Sequence, residues 1–203
     1  KEKAQRLDLR DRIIFTIDSA DTKDIDDAIS LTRTENGYEL GVHIADVSYY
    51  VTDGTPIDQD AYSRGTSVYY ASSVIPMLPK ELSNGICSLN EGEDRLAFSA
   101  IMQLDHEGHM TSYRFKKTLI RSVVKGVYVE INSIFDGTAS AEILRKYERV
   151  IPTLQDMKEL FGKLIRNRDE RGGLDLESTE SKIILDQNGL AIDIQPRHSG
   201  LSE

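Results

Sequence analysis

In the first part of the chain, apolar residues come in short β-branched and aromatic runs separated by polar loops. Residues 13–17 and 28–33 read as two strands. Asn36-Gly37 then supplies a tight hairpin turn, and the chain returns through residues 38–45. Pro56 and Asp58 mark a turn leading into a short helix over 57–63. Pro76 and Pro79 forbid regular helix and fix an extended path. Residues 98–104 and 110–120 form a further hairpin around Glu107-Gly108. Beyond it the period lengthens. Residues 128–135 begin a helix that breaks at Asp136-Gly137, and a second helical tract covers 139–149. Pro152 sits in the first turn of a third helix. There Leu154, Met157, Leu160, Phe161, Leu164 and Ile165 repeat at helical spacing, which is core packing, until Gly172-Gly173 stop it. A last hairpin, 182–185 with 190–194, turns at Asn188-Gly189. The expected fold is α+β, a mixed and largely antiparallel sheet flanked by helices.

Composition narrows the class. At 203 residues, with 39% hydrophobic and 29% charged content, the chain is most simply one globular domain. Residues 1–10 are charged and amphiphilic and read as a lead-in linker, leaving 11–203 as the domain. No run approaches a membrane span and no signal peptide opens the sequence. A single cysteine, Cys87, excludes an internal disulfide and suits a reducing cytoplasm, the expected location. The net charge of −9 argues against a phosphate-backbone ligand. That objection is met if divalent cations offset the acids, or if basic modules that bind such a backbone lie outside these residues.

The chemistry concentrates in Asp18-Ser19-Ala20-Asp21-Thr22-Lys23-Asp24-Ile25-Asp26-Asp27, five carboxylates in ten residues, pinned between the first two strands. Carboxylates this close raise one another's pKa or recruit a cation. Oxygen ligands at this density select magnesium, manganese or calcium over zinc. In an extended stretch Asp24 and Asp26 project to one face and Ile25 to the other. Asp clusters in loops are often solvated turns, and the anchoring by apolar runs on both sides is what favours a ligand site. An EF-hand is excluded, because its alternating ligands, sixth-position Gly and terminal Glu are missing. Asp46 follows directly on the return strand and could approach the same site, although a strand-end carboxylate capping a turn is the commoner arrangement, while His106 and His109 read as exposed turn residues.

The residues also resemble a known family. Thr16-Ile17-Asp18 with Asp24-x-Asp26-Asp27-Ala28 looks like the catalytic signature of the ribonuclease R/ribonuclease II family, the RNB domain. The resemblance continues through His43-Ile44-Ala45-Asp46-Val47-Ser48, Arg64-Gly65-Thr66-Ser67-Val68-Tyr69 and Ile75-Pro76-Met77-Leu78-Pro79. It includes Leu82-Ser83-Asn84-Gly85-Ile86-Cys87-Ser88-Leu89, Asp94-Arg95-Leu96 and Glu170-Arg171-Gly172-Gly173, and is closer to the bacterial ribonuclease R members. It implies an RNB-like fold and metal-dependent 3′→5′ hydrolysis of single-stranded RNA to 5′-mononucleotides. It also implies Mg²⁺, with Mn²⁺ as a substitute, held by Asp18, Asp24, Asp26 and Asp27, of which Asp26 matches the residue tied to the chemical step.

Tyr69 and Tyr128 match the family's base-contacting tyrosines, although Lys125-Gly126-Val127 before Tyr128 departs from the usual pattern. The family's later arginine-bearing motif and its cold-shock and S1-type RNA-binding domains have no counterpart here. The chain is therefore expected to be a truncated, amino-terminal portion of the catalytic domain, inactive by itself. The alternative beside this reading is a structural or sensory divalent-cation domain without catalysis; a degenerate relative that binds RNA without cutting it is disfavoured because all four motif acids are present.

Overall fold

A computed structural model describes residues 2–70, 73–174, 181–196 and 200–203. Its strands are β1 (Leu7–Asp8), β2 (Thr16–Asp18), β3 (Asp27–Thr34), β4 (Gly37–Ala45), β5 (Val68–Tyr69), β6 (Val74–Ile75), β7 (Asp94–Leu104), β8 (Met110–Arg121), β9 (Lys125–Val127), β10 (Ser181–Leu185) and β11 (Ala191–Pro196). The helices are α1 (Pro56–Arg64), α2 (Tyr128–Phe135), α3 (Ala141–Tyr147) and α4 (Ile151–Glu170). Among the described residues no helix is long and apolar enough to cross a membrane.

The main sheet has the order β1-β8-β7-β4-β3, antiparallel except for β1, which runs parallel to β8. The β3–β4 turn falls at Asn36-Gly37, where Gly37 takes a φ of 131°. One core, with Ile14, Ile25, Ala28, Leu89, Ala97 and Ile120, lies under the acidic loop. A second packs Phe15, Ile131, Tyr147, Val150 and Leu154 between the strands and the helices. The apolar stripe of α4 performs as expected at Leu154 and Leu160, both buried, whereas Phe161 is exposed. The fold is α+β, with a mixed, largely antiparallel sheet and flanking helices.

Three expectations change. The lead-in is not a free linker: Leu7–Asp8 join the sheet as β1, and Arg6 is buried with its guanidinium 2.6 Å from the Asp46 carboxylate, the two side chains only 1% and 3% exposed. Asp46 also accepts from Ser48 Oγ at 2.9 Å, so it serves this ion pair and not the acidic loop. The first strand lies further on than 13–17. Only Phe15 bridges β3, at Ile29, while Thr16–Asp18 leave to form a parallel ladder with β9. Gly126 permits that departure, since a Cβ there would stand 2.3 Å from the Thr16 carbonyl oxygen. Finally, the proline segment is followed by a wide helical turn over Glu81–Ile86, and β5 pairs with β6, neither of which periodicity announced.

Candidate functional site

The acidic loop spans the gap between β2 and β3. Ile25 is buried to 1% exposure and its neighbours Asp24 and Asp26 point the other way, as alternation requires. Hydrogen bonds from distant residues fix the backbone. Ser88 Oγ donates to Lys23 O at 2.8 Å and accepts from Ile25 N at 3.1 Å. The Leu89 amide donates to Ile25 O at 2.9 Å, and the Ala45 amide to Asp26 O at 2.8 Å. On the other side, Lys125 Nζ donates to Thr22 O at 2.6 Å and to Ala20 O at 3.1 Å. One lysine thus gathers two carbonyls and places a cation beside the acids.

The four motif acids share one electrostatic neighbourhood. Burial, and then the charge of Asp27, push Asp18 up to about 6, with Asp24 and Asp26 adding to the rise and Lys125 opposing it. Asp26 is raised by desolvation and by Asp24 and Asp27, although the residue is exposed. Asp18 Oδ2 is buried and, among the described residues, has no hydrogen-bond partner. Such an atom costs free energy unless a proton or a cation satisfies it. The acids are neighbours rather than a finished cage: among the described residues no three His, Cys, Asp or Glu side chains converge as a ready ligand set.

Tyr69, 64% exposed, donates its hydroxyl to Asp24 Oδ2 at 2.7 Å. That bond forms a shared wall of two cavities. One, of about 550 Å³, includes Lys23, Tyr70, Lys80 and Asn84. The other, of about 350 Å³, is largely apolar, with Asp26, Ile44, Met77, Leu78 and Cys87. Both volumes fall in the range of small-molecule sites. Tyr128 is half-buried at the start of α2, immediately after the residue that registers with Asp18.

His106 and His109 sit in the β7–β8 turn as expected, bonded to Glu35 O and to Asp105. Arg95 does more than pair with an acid. It donates to Ser88 O at 2.7 Å and Gly85 O at 3.2 Å and ion-pairs Glu93. Ser88, Lys125 and Arg95 are the participants that sequence reasoning gave no role. Ser88 and Lys125 act through main-chain contacts distant in sequence and Arg95 through nearer ones, and none of these leaves a periodic trace.

The family described as the RNB domain matches residues 6–203. Ribonuclease R of Thermotoga maritima is 47% identical over 205 residues, covering 100% of this chain and 28% of that protein. Ribonuclease R 1 of Lactococcus lactis is 45% identical over 199 residues, covering 98% of this chain and 24% of that protein. Mycoplasma genitalium RNase R, solved in complex with ribose methylated single-stranded RNA, superposes with a TM-score of 0.91 at 32% identity, covering 98% of this chain and 31% of that one. The chain spans roughly a quarter of the length of these curated relatives.

Proposed function

The chain belongs to the RNB-domain family, and from that premise we propose that its acidic loop is the hydrolytic centre of a metal-dependent 3′→5′ exoribonuclease acting on single-stranded RNA. The observation that carries the reading is the partnerless, buried Asp18 Oδ2 among four crowded carboxylates. A hard cation answers both features. It would satisfy the orphaned oxygen and offset both the burial and the neighbouring negative charge that raise Asp18 and Asp26. The donor set is all oxygen, which fits Mg²⁺, or Mn²⁺ in its place. Asp18, Asp24, Asp26 and Asp27 would hold the ions, which when bound supply charge neutralisation at the scissile phosphate and an activated water.

The protein's own residues do the rest. Ile25, seated in the core, aims Asp24 and Asp26 outward together. Tyr69 holds one Asp24 oxygen by its hydroxyl and leaves its ring face open to a base, a contact worth about 1–3 kcal/mol for stacked nucleotides. Tyr128 offers a second ring on the Asp18 side. The apolar cavity beside Asp26 has room for a terminal base. A net charge of −9 makes RNA binding by these residues alone weak, so basic RNA-binding domains of the cold-shock and S1 type elsewhere in the protein complete the grip, and this portion alone is inactive.

The test uses the full-length protein and an RNA with a 3′ single-stranded tail, with and without Mg²⁺. Asp26→Asn is expected to abolish release of 5′-mononucleotides while RNA affinity is retained. Full turnover by that variant removes Asp26 from the chemical step. Turnover undiminished in chelator points away from metal dependence altogether.

A further inference from the structure

We propose that Ser88, held by Arg95, is the positioning residue that sets the spacing of Asp24 and Asp26 and so tunes the affinity of the loop for a divalent cation; the inference rests on the metal reading above. Asp24 and Asp27 both set negative charge against Asp26, so holding these carboxylates together calls for backbone restraint from outside the segment. Ser88 is the restraint that grips both sides of Asp24. Its side chain is completely buried, and its one hydroxyl takes both roles at once, donating to the carbonyl before Asp24 and accepting from the amide after it. Asp24 is therefore clamped on both flanks by a single oxygen. The next residue, Leu89, bonds the Ile25 carbonyl and extends the clamp towards Asp26.

The clamp has its own support. Arg95 stands on β7 with its side chain 11% exposed. From there its guanidinium bonds the main-chain oxygens of Ser88 and Gly85 and ion-pairs Glu93. The chain of contacts runs from β7 through Arg95 and Ser88 to the backbone that carries the carboxylates. Groups that orient ligands in this indirect way typically change metal affinity by about 10–100-fold when removed.

The experiment is Mn²⁺ titration by calorimetry on the full-length protein and its Ser88→Ala, Arg95→Gln and Asp24→Asn variants. Circular dichroism establishes that each is folded, and RNA affinity is measured separately in chelator. Ser88→Ala is expected to weaken Mn²⁺ binding by about tenfold or more, and Arg95→Gln by a smaller factor in the same direction, with RNA affinity changed less than about twofold. Mn²⁺ binding that depends on Asp24 but ignores Ser88→Ala overturns the positioning role and leaves the metal reading standing. Absence of Mn²⁺ binding to the unmodified protein, or binding indifferent to Asp24→Asn, overturns both. Should Ser88→Ala fail to fold, unchanged affinity in Arg95→Gln overturns the role equally.

Discussion

His43 gives the sheet a pH signature that can be read without altering the acidic loop. Its ring is 1% exposed and bridges Ser30 Oγ at 2.9 Å and Ser99 Oγ at 2.7 Å, the latter hydroxyl continuing to Thr118 Oγ1 at 2.6 Å. Burial lowers its pKa from 6.5 to about 4. Below the ordinary value the unfolded chain therefore binds a proton that the folded chain refuses, and stability falls with pH until the folded pKa is reached. At about 1.4 kcal/mol per pKa unit, that difference corresponds to roughly 3 kcal/mol, present above pH 6.5 and gone near pH 4. Asp18 acts in the opposite sense over part of this window. Its pKa is raised from 3.8 to about 6, so the metal-free protein loses stability as pH climbs between those values. The raw curve blends the two, and a variant is needed to separate them. His43→Gln supplies an amide that can bridge the same two hydroxyls without titrating. Urea unfolding in chelator, from about pH 7 to about pH 4.5, is expected to show the unmodified protein's advantage over His43→Gln shrinking by about 2–3 kcal/mol. Parallel curves, with a constant gap at every pH, refute the argument whatever the absolute stabilities.

Two further outcomes follow from the packing. Gly126→Ala drives a methyl to within 2.3 Å of the Thr16 carbonyl oxygen, so β2 and β9 must part. The cost is expected at about 1–3 kcal/mol or more, read as a lower urea midpoint with an unchanged slope. Arg6→Met strands the buried Asp46 carboxylate and is expected to cost about 3–5 kcal/mol, whereas Arg6→Met combined with Asp46→Leu recovers much of it. Additive losses in that double-mutant cycle count against a coupled buried pair.

Local chemistry made part of this protein legible before any coordinates. Asn36-Gly37 announced the β3–β4 hairpin because that turn demands particular residues. The stripe on α4 announced a core helix, and Ile25 between two aspartates announced which way each would face. The resemblance to the RNB family supplied the activity we propose, which periodicity alone does not reach. What escaped was non-local. Arg6 sits in a stretch whose exposed charges disguise one buried guanidinium, and only the fold brings Asp46 to it. The second strand ladder of the acidic loop joins β2 to β9 in parallel, a pairing that no turn residue specifies. Ser88 looks like any small polar residue until Lys23 and Ile25 are placed against it.

The parallel β2–β9 ladder also bears on the order of assembly. Lys125 meets the Thr22 carbonyl across 103 residues of sequence, and Asp18 takes its register from Val127. Contacts so distant in the chain are slow to form, because loop closure must be met before they return any stabilisation. The antiparallel pairs β3–β4 and β7–β8 join at short turns and need no such closure. A species that has zipped those hairpins but not yet docked residues 125–127 would show most of the sheet spectroscopically while its aspartates remain splayed. Intact secondary structure is thus a poor proxy for a competent loop, and its maturation is better followed by amide protection at Thr16–Asp18.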